Sequence, residues 1–106
     1  MKRDMDLIRD LMLKLEVLPM RPGGVAHIPP DADEIVIEGK SADEIEFHLK
    51  LLVDVGYIDE GGVQPAIGIG FRKLTWNGYE FLNTVRDPAI WHETKEGAKR
   101  SAPASI

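Results

Sequence analysis

At 106 residues, with 43% hydrophobic and 29% charged side chains, the chain has the size and mix of one compact domain with a single core. No apolar run approaches the roughly 20 residues that cross a bilayer, the opening MKRDMD is too polar to begin a secretory signal, and the absence of cysteine excludes disulfides, thiolate nucleophiles and cysteine-rich zinc sites. The net charge of −5 is unevenly spread: residues 31–60 hold ten acids against Lys40 and Lys50, a local −8, which leaves the rest of the chain at +3. An acidic middle repels phosphate backbones unless the fold hides it.

From Asp4 to Leu18 the apolar residues Leu7, Ile8, Leu11, Met12, Leu15 and Leu18 recur at helical spacing. Asp4 and Asp6 suit the positive end of that helix, and Pro19 follows its end. Four prolines (Pro19, Pro22, Pro29, Pro30) and the pair Gly23–Gly24 then predict a long loop over 19–33, with a short extended piece at Val25 to Ile28. The alternation Glu-Ile-Val-Ile-Glu over 34–38, closed by Gly39, predicts a short strand.

Ser41 with Glu44 three residues later is a capping box, and Ile45, His48, Leu49, Leu52 and Val55 follow at helical spacing, so a second helix is expected over residues 42–55 with Gly56 as its stop. Phe47 and Leu51 widen its apolar face. Either this helix is sandwiched between the first helix and a sheet, or part of it is an interaction surface.

Residues 57–59 and 70–74 read as two short strands around a glycine- and proline-containing tip, EGGVQPAIGI. They are expected to pair antiparallel, with 34–38 as the third strand of the same sheet. Thr75 caps a third helix carrying Phe81, Leu82 and Val85, and Gly78 stands where a side chain would hold off a neighbouring strand. Asp87–Pro88 opens a fourth helix containing Ile90 and Trp91. One domain over 1–96 is expected, followed by a disordered tail over 97–106 that lacks apolar periodicity. The core should draw on Leu7, Ile8, Leu11, Leu15, Ile45, Leu49, Leu52, Leu74, Phe81, Leu82 and Val85.

No nucleophile with its base, metal-ligand spacing or phosphate-cradling loop is visible, so the chain is read as neither an enzyme nor a holder of a cofactor or metal. His27, His48 and His92 lie far apart, and His48, beside Leu49 and Leu52, reads as a packed, hydrogen-bonded histidine. Gly68-Ile69-Gly70 precedes a strand, whereas a dinucleotide fingerprint follows one. The neighbours Asp43–Glu44 and Asp59–Glu60 read as solvated charge rather than an acid–base pair. Trp76 and Trp91, each at the start of a C-terminal helix, would serve either as core closure or as an aromatic platform.

The passage EIEFHLKLLVDVGYIDE resembles the recognition-helix-to-wing passage of bacterial winged-helix repressors, and FRKLTWNGYEFL resembles their second wing strand with the helix that follows. The phrases MKRDMDLIRDLML, HLKLLVDVGYI and LTWNGYEFLNTVRDPAIWHETK, in this order, resemble a bacterial domain-of-unknown-function family of short proteins often found in phages and prophages. That resemblance implies an α+β, winged-helix-like fold of helix, strand, helix, hairpin wing and two C-terminal helices, with a three-stranded antiparallel sheet, in a cytoplasmic setting. It brings no catalytic residue. Two departures from a DNA reader accompany it: the proline-rich loop and strand occupy the place of the supporting helix, and the outward positions Asp43, Glu46, Lys50 and Asp54 of the second helix sum to −2. The expected function is a winged-helix-like binding module making weak duplex-DNA contact through Lys50, Arg72 and Lys73. The alternative is a module in which Phe47 and Trp91 engage a protein partner or a second copy.

Overall fold

The computed structural model of the chain describes residues 1–93. Its elements, in order, are α1 (Met5–Glu16), β1 (Ala26–Ile28), α2 (Ala42–Asp54), β2 (Ile58–Asp59), β3 (Ile69–Phe71), β4 (Lys73–Leu74) and α3 (Trp76–Val85), and residues 88–93 are again helical. The architecture is mixed α+β with small antiparallel sheets. Residues 97–106, expected as a disordered tail, lie outside the described residues.

Each helix starts where a side chain can satisfy its free N–H groups. Asp4 accepts from the N–H of Asp6 and Leu7 at α1, Ser41 and Glu44 close a reciprocal capping box at α2, and Thr75 accepts from Gly78 N–H at α3. Asp87 does the same for the stretch beginning at Pro88, accepting from Ala89 and Ile90 N–H. The apolar stripe of α1 (Leu7, Ile8, Leu11, Met12, Leu15) faces Ile45, Leu49 and Leu52 of α2 and Leu82 and Val85 of α3 across one core. Burying each such aliphatic chain contributes about 1.5–3 kcal/mol. Phe81 is only half-buried, because its ring stacks on Tyr57 at 5.1 Å over the outside of that core. Ile28, Ile35, Ile58, Ile69, Phe71 and Leu74 complete the interior.

The sheet differs from the expected one. Residues 34–38 form no strand; the N–H groups of Ile35 and Val36 both donate to the carbonyl of Ala32, and that of Lys40 donates to Ile37. The alternation is nevertheless real as burial: Ile35 is buried, Ile37 half-buried and Val36 exposed. It reports which side chains reach the core, whereas a strand also needs a partner edge. It is β1 that pairs antiparallel with β3, with His27 opposite Gly70. The predicted three-stranded sheet is therefore replaced by two two-stranded ladders, β1–β3 and β2–β4.

The hairpin expectation holds at its base, where Ile58 pairs with Leu74 and Asp59 with Lys73, antiparallel. The returning strand pairs first as β3 with β1 and, past Arg72, as β4 with β2, so one returning strand serves two partners in turn. Gly78 sits under this base, where a Cβ would lie 2.5 Å from the carbonyl oxygen of Tyr57, which already accepts from Thr75 N–H at 3.0 Å. Only glycine lets α3 approach that carbonyl.

Candidate functional site

The outer face of α2, the expected groove-reading surface, is occupied by the chain's own hairpin tip. Lys50 Nζ donates to the carbonyls of Pro65 (2.9 Å) and Gly68, and Glu46 accepts from Gly68 N–H at 2.7 Å. The two side chains also face each other at 3.7 Å. Gly68 takes φ +79, and a Cβ there would lie 2.4 Å from the carbonyl of Ile28, so the tip is folded against β1 as well as α2. The glycine- and proline-containing tip is thus pinned, and Lys50 is engaged in pinning it.

The opposite side of α2 carries His48, which is buried. Its Nε2 accepts from Asp4 N–H at 2.8 Å, while Nδ1 lies 2.7 Å from the carbonyl of Glu44. An amide N–H on one nitrogen and a carbonyl on the other define the neutral ring protonated at Nδ1. Asp4 binds across the same junction through its carboxylate, 3.0 Å from Lys40 Nζ. The Lys40 ammonium holds that carboxyl below the usual range, assisted by the N–H groups of Leu7 and Asp6 and opposed by partial burial. His48 is a structural tie between α1 and α2, and its ring is edge-on to half-buried Phe47 at 5.2 Å.

Arg72 and Lys73 stand together at the hairpin bend. Arg72 donates through its guanidinium to Asp59, and this, with the N–H of Gly61, keeps the Asp59 carboxyl below its ordinary value. Both cations border an open groove of about 360 Å³ whose other wall is the loop Met20, Arg21, Pro22 and Gly23. Arg21 thereby joins them from far away in the chain. A second depression of about 210 Å³ shares Met20, Arg72 and Lys73 and extends to Tyr79. Glu16, on its wall, is tied to Arg86 by paired contacts of 2.9 and 2.8 Å. Trp76, one turn before Tyr79, is 80% exposed.

The sequence-predicted residues are therefore separated. Arg72 and Lys73 share a groove, Lys50 holds the hairpin tip, and Trp91 is half-buried against the core with Nε1 donating to Asp6 at 2.7 Å, which docks the last helix onto α1. Sequence reasoning did not single out Arg21 or Tyr79. Nothing around Arg21 announces it, while the Trp76–Tyr79 spacing of i, i+3 was a legible sign of a shared helix side. Among the described residues no group of three or more His, Cys, Asp or Glu side chains is placed to hold a metal, and no helix is long and apolar enough to cross a membrane.

No solved structure matches the chain. A protein of Haemophilus influenzae named only as uncharacterised is 32% identical over 101 residues, covering 93% of this chain and 80% of the relative. The family described as "Hypothetical protein (DUF2513)" matches residues 2–104. With nearly its whole length matched, the chain belongs to the DUF2513 family.

Proposed function

We propose that this chain is a winged-helix-like binding module, without catalytic activity, that makes weak and salt-sensitive contact with nucleic acid through the base of its hairpin. One observation carries this reading: Arg72 and Lys73 meet Arg21 across an open groove, in a protein whose net charge is otherwise negative. The outer face of α2 is unsuited to a major groove, because Glu46 and Lys50 hold the hairpin tip and Asp43 and Asp54 add only negative charge. The cytoplasmic, phage-related setting suggested by the sequence resemblance goes with this reading.

Fluorescence anisotropy on random-sequence duplex DNA across a salt series tests it. Binding should be no tighter than roughly 10⁻⁵ M at physiological salt, should weaken with added salt, and should fall further in Arg72→Ala and Lys73→Ala while Lys50→Ala leaves it unchanged. A nanomolar, sequence-specific complex lost in Lys50→Ala would return the contact to α2. A complex with a protein partner that survives high salt and weakens in Phe47→Ala or Trp91→Ala would replace the nucleic-acid reading with the protein-interaction one.

A further inference from the structure

We infer that the ligand of this surface is single-stranded nucleic acid, with bases stacked on Trp76 and Tyr79 while Arg21, Arg72 and Lys73 meet the phosphates. The inference rests on the nucleic-acid reading above and names its ligand class. Trp76 is 80% and Tyr79 42% exposed, whereas the other large apolar side chains on α1, α2 and α3 are buried or half-buried. Tyr79 lines a depression together with Arg72 and Lys73. Trp76 lies one turn before Tyr79 on α3 and three residues after Lys73.

Charge and stacking decide between single strand and duplex. The cations are few, and Arg72 already shares its charge with Asp59, so electrostatic attraction alone is weak. Aromatic rings add affinity only where a base has a free face. In a duplex those faces are stacked on one another, while in a single strand every base offers one. Cβ atoms about 5–6 Å apart at i, i+3 place the two rings to meet neighbouring nucleotides of one strand. Glu80, exposed and four residues after Trp76, is the acid on this side of α3 and limits the attraction.

The test uses the full chain with a labelled oligothymidylate about 15 nucleotides long, near the upper site size of one small binding domain, beside a random duplex of equal length. Oligothymidylate should bind about tenfold tighter than duplex, and Trp76→Ala should abolish that preference without changing duplex binding. Trp76→Phe should restore part of it, and Glu80→Lys should tighten binding about threefold. Trp76 lies outside the core, so circular dichroism should be unchanged in these variants. Equal binding of both probes, insensitive to Trp76→Ala but sensitive to Arg72→Ala, would overturn this inference and leave the underlying reading standing. Binding of neither probe would overturn both. A dimer in sedimentation experiments that dissociates in Trp76→Ala would assign the aromatic face to a second copy and overturn the single-strand proposal.

Discussion

Helix α2 is anchored twice by polar groups, and the two anchors differ in depth. On its inner side His48, buried, joins the backbone of Asp4 to that of Glu44. On its outer side Glu46 and Lys50, both partly exposed, hold the backbone of the hairpin tip. The hydrogen bonds are similar in number and length, yet their consequences on removal are not. The His48 ring is itself buried, so losing it leaves the part-buried Asp4 N–H facing an apolar replacement, whereas the outer side chains can turn to solvent. Depth, more than bond count, should set the cost.

A purely steric junction gives the upper end of that scale. Gly78→Leu should cost about 3 kcal/mol, because the new Cβ meets the Tyr57 carbonyl and no flexible side chain can yield, and this outweighs the gain in helix propensity. Thermal melting checks it: an unchanged or raised Tm would mean that α3 can move away from the hairpin base without loss. His48→Leu should follow at about 2 kcal/mol, since it keeps an apolar group of similar bulk but orphans the Asp4 amide. If urea titration finds it neutral, water reaches that amide and the inner anchor is no deeper than the outer one.

Lys50→Ala should cost about 1 kcal/mol or less, and its main effect should be local: amide exchange at Gly68 and its neighbours should accelerate several-fold while α1 and α2 stay protected. Global destabilisation comparable to His48→Leu would erase the distinction between the anchors. The smallest effect is expected from Asp4→Asn, which retains an N-cap oxygen and loses only the charge facing Lys40.

Its signature is in pH dependence. A carboxyl held below its ordinary value when folded adds stability that is complete above the ordinary range and disappears as pH falls through the folded value. Asp4, Glu16 and Asp59 are all lowered, by Lys40, Arg86 and Arg72 respectively, so Tm should fall on acidification below about pH 5. Asp4→Asn should flatten that fall. An acid slope identical to that of the parent protein would show that the Lys40 contact does not persist in solution.

The helices were legible because their determinants are local. Asp4, Ser41, Thr75 and Asp87 satisfy N–H groups two or three residues away, and the apolar spacing of α1 and α2 marks the faces that are in fact buried. His48 was legible as a packed histidine from its neighbours, though not its partner Asp4, which lies 44 residues distant. Segment 34–38 misled because alternation encodes the side facing the core, while the segment's own N–H groups close local turns, Ile35 and Val36 donating to Ala32 and Lys40 to Ile37, instead of joining a ladder.

The same division applies to the candidate surface. Arg72 and Lys73 are adjacent in the chain and were singled out from it, as was Trp76; Lys50 was singled out too, on its outward position in α2 alone. By itself, then, the sequence determined the helices, their caps, most of the core and the close approach at Gly78, since these depend on spacing within one turn or one element. Only the tertiary structure decided that the hairpin tip folds back onto Lys50, that one returning strand is shared between β2 and β1, and that Arg21 completes a groove with Arg72 and Lys73. Those contacts join segments whose separation along the chain leaves no periodic trace, and chain closure brings them together only once the common core has formed.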